Sequence, residues 1–190
     1  DRNAAHRGPV FLPWHRFMLL QLEMNLQRVL SDPAFGLPYW DWAAAGELTL
    51  ADQKTSGIWV ADCMGGSGSP ITTGPFAFKA SDPTSWRVRI TANVNGQIVQ
   101  VNRGLRRQLG ASVVGLPGPN RLPRKAHTAA ALNENTYDFA PWGVTSVGFR
   151  NLLEGWQNNP QIPPPSLHNC VHVFVGGDMS PSSSPNDPVF

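Results

Sequence analysis

The sequence has 190 residues, 41% hydrophobic and 15% charged, with a formal net charge of +2. That balance excludes a disordered tail, which needs low hydrophobicity and high net charge, and the length fits one domain. Seven Trp and nine Phe supply a sizeable core, and no run of about 18 apolar residues is present to span a bilayer.

In chain order, Pro13 followed by residues 14–31 predicts the clearest helix. Phe17, Leu19, Leu20, Leu22, Met24, Leu26, Val29 and Leu30 give it an apolar surface broad enough to be buried on most sides. Pro13 suits a first turn and Asp32-Pro33 a stop. Residues 37–42, short and aromatic, read as an extended buried link, and 43–85 read mostly as loop. Residues 86–101 alternate around Asn95-Gly96, the signal of a small hairpin. Thr145 or Ser146 is the expected cap of a helix over 147–156, with Gly155 near its end. A Pro-rich connector follows over 158–166. Residues 167–175, stopped by Gly176-Gly177, predict a short helix, and 179–188 a Ser/Pro loop. The class is mainly α, heavily looped, with a minor hairpin.

The cluster Arg103, Arg106, Arg107, Arg121, Arg124 and Lys125 reads as a solvated face, because no nucleic-acid motif accompanies it. Neither nucleic acid nor membrane is expected as a partner. Two cysteines, Cys63 and Cys170, leave pairing open, and nothing in the text fixes localisation.

Four of the five histidines fall in two close pairs. His168 and His172 are spaced i,i+4, which on a helix puts both rings on one face about 5–6 Å apart at Cβ. On a strand the same spacing separates them too far to share an ion. No Glu follows the first His, so the zinc-protease signature is absent. Pro9 and Pro13 break any continuous helix between His6 and His15. A bent connection then brings His6 toward His15 in the first turn of the long helix. Taken singly, each pair also describes hydrogen-bonded or surface histidines, and His127 reads as structural or exposed. Imidazoles without thiolates or carboxylates favour copper, zinc or iron over magnesium or calcium.

The run Ala5-His6-Arg7-Gly8-Pro9-Val10-Phe11-Leu12-Pro13-Trp14-His15-Arg16 resembles the first copper motif of the tyrosinase family of type-3 dicopper proteins. Leu37-Pro38-Tyr39-Trp40-Asp41-Trp42 resembles the segment after it. Leu167-His168-Asn169-Cys170-Val171-His172-Val173 with Gly176-Gly177 resembles the second copper motif, and residues 184–190 its continuation. Phe149-Arg150-Asn151-Leu152-Leu153-Glu154-Gly155-Trp156 is similar to the bacterial branch.

The resemblance implies a tyrosinase-like four-helix-bundle core around two copper ions, with long loops and the small hairpin, over a single catalytic domain, residues 1–190. It carries His6 and His15 to the first copper and His168 and His172 to the second. It places one further ligand upstream of Asp1 and another beyond Phe190, so the sequence reads as the middle of a longer enzyme. The implied activity uses O2 to hydroxylate monophenols and to oxidise o-diphenols to o-quinones, the chemistry of melanin-type pigments. Glu154 and Asn169 match the residues that hold a proton-accepting water. A catechol or o-aminophenol oxidase, or a haemocyanin-like dioxygen carrier, remains the alternative. The implied partners are a small phenolic substrate and a copper-loading helper protein or covering domain. Asp41 and Asp187 are expected to orient Arg16 or ligand imidazoles, or to form caps and turns. Phe190 is expected to pack on a ligand ring or to fill core, and Cys170 to face away from the ligands.

Overall fold

A computed structural model of the chain describes residues 5–94, 97–111, 120–146, 148–155, 167–180 and 183–190. Its helices are α1 (Phe11–Leu30), α2 (Trp42–Ala45), α3 (Leu50–Thr55), α4 (Lys125–Leu132), α5 (Phe149–Glu154) and α6 (His168–Val175). One antiparallel hairpin pairs β1 (Val88–Val94) with β2 (Gln97–Arg103). The mainly helical class with a small hairpin is therefore as expected. Contacts divide the chain into two compact units, Asp1–Asp41 with Lys125–Asn169 and Trp42–Arg124 with Cys170–Phe190. Helix α6 begins in the first and continues into the second.

In the first unit, α1 starts three residues earlier than its Pro13 suggested. The Phe11 amide reaches the Gly8 carbonyl at 3.0 Å, and Pro13 sits at the third helical position, where a missing N–H costs nothing. Ser31 ends the helix in the left-handed region, φ 54°, and the amides of Ser31 and Asp32 return to the carbonyls of Arg28 and Gln27. The expected burial on most sides does not hold. Phe11 is the buried residue of α1, whereas Phe17 is 63% and Val29 80% exposed. Helix α5 packs against α1 and α4, and the apolar surface further along α1 is not covered by the described residues. The link over 37–41 carries no regular secondary structure and, contrary to expectation, is not buried, Tyr39 being 90% exposed.

Helix α5 buries polar side chains: Arg150, Asn151 and Glu154 are fully enclosed. Its expected hydroxyl cap is absent. The amides of Phe149 and Arg150 donate instead to the carbonyls of Thr136 and Tyr137, both at 2.9 Å, and Ser146 Oγ donates to the Phe139 carbonyl. The N-cap is Gly148, where a Cβ would come within 3.1 Å of those two acceptor oxygens. Gly155 closes the helix at φ 83°. Helix α4, with the sequence KAHTAAAL, has no expected counterpart. Its three consecutive alanines favour helix without giving the strong two-sided pattern that identifies one.

In the second unit, residues 43–85 are less loop-like than expected, holding α2, α3 and a 3-10 turn at Gly57–Trp59. Ile71, Val88 and Leu105 form a core joined by Phe76 and Ile90. The hairpin register pairs Val94 with Gln97, which leaves the expected Asn95-Gly96 turn, like the 158–166 connector, outside the described residues. The solvated basic face is corrected at two positions. Arg107 is enclosed, its guanidinium meeting Asp187 through Nε and Nη2 at 2.8 and 2.7 Å, with the Trp59 ring 5.4 Å away. Arg103 forks onto Asp178 at 2.7 and 2.6 Å. Asp187 thus serves the ion pair with Arg107, and its Oδ1 also accepts the Val189 amide at 3.1 Å, the turn-forming alternative to orienting Arg16 or an imidazole.

Removing one partner of a buried pair strands the other charge. The variant Asp187→Ala is expected to lose about 3–5 kcal/mol of unfolding free energy, read by urea titration. Asp178 gives a pH signature. Burial raises its pKa, but the Arg103 fork, the Arg106 amide and both arginine charges outweigh it and hold the carboxyl below its ordinary value. A depressed carboxylate stabilises the fold above its unfolded pKa and loses that contribution as pH falls through the folded one. Unfolding midpoints below about pH 4 should therefore fall more steeply for the parent than for Asp178→Asn.

Candidate metal centre

Three of the four paired histidines come together in the first unit. His6 lies on the bend before α1, His15 in its second turn, and His168 at the first residue of α6. Ring centroids are 4.9 Å apart for His6 and His15, 5.7 Å for His6 and His168, and 6.1 Å for His15 and His168. The buried Phe11 ring touches all three, at 5.7, 4.6 and 5.0 Å. Phe11 was not singled out in the sequence, although its i,i+4 spacing to His15 is the signal that places both rings on one helix face. His127 is half-buried on α4.

Each ring with a carbonyl partner has its tautomer fixed by an oxygen that can only accept. His15 Nδ1 lies 2.7 Å from the Phe11 carbonyl, so Nδ1 carries the hydrogen and a neutral ring presents its lone pair at Nε2. That Nε2 is buried without a hydrogen-bond partner. His168 Nδ1 donates between Asn169 Oδ1 at 3.0 Å and the Glu154 carbonyl at 3.3 Å. In the second unit, His172 Nδ1 donates to the Met179 carbonyl at 2.9 Å, and the expected packing of Phe190 is found, its ring centroid 5.8 Å from the imidazole. Helix α6 also supplies the periodicity that the His168/His172 spacing requires.

An imidazole tied through Nδ1 to an oxygen with Nε2 directed elsewhere is the form in which histidine ligates a metal. The orphaned Nε2 of His15 fits such a group directly, since a buried acceptor without a partner is costly. Among the described residues no three His, Cys, Asp or Glu side chains stand ready to share one ion.

Glu154 is enclosed, its Oε1 accepting the Arg7 amide at 2.7 Å and its Oε2 facing Arg150 Nη1 at 3.1 Å. Asn169 Nδ2 donates to the Gly155 carbonyl at 2.8 Å. Arg150, at i,i+4 from Glu154, was legible only as a motif residue, and its second partner Asp138 gave no local signal. Cys170 is buried, with Sγ 3.0 Å from the Arg121 carbonyl. Burial pushes its pKa up to about 12. Both cysteines are free, which settles the open question of pairing.

A helical scaffold that gathers imidazoles and fixes their tautomers has the donor chemistry of a histidine-built centre for a borderline ion. The chain belongs to the tyrosinase family, matching the common central domain of tyrosinase over residues 1–190. It is 43% identical to a tyrosinase of Streptomyces antibioticus and 41% to one of Streptomyces glaucescens, over 99% of this chain and 59% of each relative. It is also 36% identical to the grixazone synthase of Streptomyces griseus, over 100% of this chain and 62% of that protein. The chain therefore spans about three fifths of the length of the curated relatives it matches.

The neutral, enclosed Cys170 thiol should resist alkylation at pH 8, because the thiolate is the reactive form. Mass mapping after iodoacetamide is expected to find it unmodified in the native protein and modified in urea.

Proposed function

We propose that this chain forms the dicopper core of a tyrosinase-type phenol oxidase, with His6 and His15 serving one copper and His168 and His172 the other. The observation that carries the reading is the buried, unpartnered Nε2 of His15 beside the rings of His6 and His168. Tyrosinase-named relatives along nearly the whole chain support it. The third ligand of each ion is expected from outside residues 1–190. When bound, the copper pair supplies activation of O2 for phenol oxidation.

The protein's own part is binding, orientation and proton handling. At His15, His168 and His172 the ring keeps its hydrogen on Nδ1 and donates it to a carbonyl oxygen, which leaves the lone pair on Nε2. A monophenol must also lose a proton, and tyrosine-like hydroxyls have a pKa near 10. Glu154 is the base of this reading, acting through a water shared with Asn169. A carboxylate offers about four lone-pair positions, of which the Arg7 amide and Arg150 Nη1 occupy two. The Asn169 amide keeps a second N–H beyond the one given to Gly155. The substrate is a small phenol. A helper protein that loads copper and a covering domain belong to the same proposal.

Metal analysis of the intact protein is expected to give two coppers per chain, with turnover of both a monophenol and its o-diphenol. Diphenol turnover alone would make the protein a catechol oxidase, and reversible O2 binding without turnover a carrier. In Asn169→Ala, monophenol kcat/KM should fall on the order of a hundredfold while diphenol turnover changes far less. An equal loss on both substrates would remove Asn169 from the proton step.

A further inference from the structure

Glu154 connects two stretches of backbone that carry separate histidine couples. Through its side chain, Oε1 accepts the amide hydrogen of Arg7, the residue after His6. Arg7 is held at φ 64°, a left-handed conformation that a residue with a Cβ disfavours. Through its main chain, the Glu154 carbonyl lies 3.3 Å from Nδ1 of His168. One residue therefore borders the chain beside His6 and the His168 ring itself.

The carboxylate is itself fixed. Arg150 Nη1 meets its Oε2 at 3.1 Å, and both side chains are fully enclosed. The rest of the guanidinium is committed elsewhere: Nε and Nη2 to Asp138 at 2.9 and 3.3 Å, and Nη2 to the Gly143 carbonyl at 2.7 Å. A planar guanidinium bound along several edges cannot rotate without stranding a buried charge. Tyr137, next to Asp138, donates its hydroxyl hydrogen to the Pro9 carbonyl at 2.6 Å. The bend that bears His6 is thus tied down on both sides of Gly8.

We propose that Asp138, Arg150 and the Glu154 carboxylate form a positioning clamp that fixes His6 relative to His168 and thereby sets the affinity of the histidine site for metal. The clamp rests on the metal-ligating reading of those histidines and adds to the water-holding role of Glu154. It predicts a dependence on reach. Aspartate at 154 keeps the charge that faces Arg150, but it is one methylene too short to hold the Arg7 amide. Glutamine keeps the reach and the acceptor oxygen. Lysine at 150 keeps a charge and loses the fork.

The test measures copper affinity of the folded, intact protein by chelator competition, beside the melting temperature of the metal-free form. Glu154→Asp and Arg150→Lys are expected to bind copper about tenfold or more weakly than the parent, and Glu154→Gln to lose less than Glu154→Asp. A residue that merely stabilises the fold would lower the melting temperature and leave affinity unchanged in the folded fraction. Parent-like affinity in both Glu154→Asp and Arg150→Lys overturns the clamp while leaving the dicopper reading intact. A parent that binds no copper overturns that reading first. Hydrogen exchange needs no variant: the Arg7 amide of the unaltered protein is expected to be as protected as the amides of α5, and unprotected exchange there defeats the proposal.

Discussion

A neutral imidazole has one hydrogen to place, and where it goes decides what the ring can bind. At His15, His168 and His172 an oxygen acceptor takes Nδ1, so the opposite nitrogen holds the lone pair before any ligand arrives. The acceptors differ in origin. Phe11 offers a carbonyl from the preceding turn of the same helix, Glu154 one from the open end of α5, and Met179 one from the turn beyond α6. The Phe11 carbonyl lies in the first turn of α1, where an α-helical carbonyl also serves the amide four residues on, whereas the end of α5 and the turn at Met179 leave carbonyls without an intrahelical donor. Acceptors of both kinds thus hold the three imidazoles in one tautomer.

The same logic explains why α5 carries charge inward. A six-residue helix gains little from intrinsic propensity, and its enclosed face holds Arg150, Asn151 and Glu154 instead of leucines. Asn151 donates to the carbonyls of Val144 and Ser146, anchoring the loop that delivers the helix. Buried ion pairs are poor sources of net stability beside apolar packing, but they are directional. In the proposed centre, direction is the commodity that matters.

Much of this was legible. The His168/His172 spacing, the Gly176 stop and the Gly155 terminus are local signals, and helix periodicity turns them into geometry. The His6/His15 convergence was legible from two prolines that forbid the straight alternative. What escaped depends on partners far along the chain. Arg107 looked solvated because Asp187, the group that permits its burial, lies 80 residues away. Asp138 carries no motif at all. Helix α1 misled in the other direction, since an apolar surface records what a helix can bury and not how much of it the described residues cover. The expected cap at Ser146 failed because main-chain carbonyls of Thr136 and Tyr137 had already taken the amides that a hydroxyl would have served.

Cys170 stands two residues from each histidine of α6, and that spacing turns its sulfur toward the opposite side of the helix. A soft, ionised sulfur beside a centre that handles dioxygen would compete for cuprous ions and would itself be the most easily oxidised group at hand. Enclosure against the Arg121 carbonyl keeps it protonated and out of reach. Under the proposed dicopper reading, the helix thus carries an oxidisable sulfur between its two histidines on a side turned away from the centre.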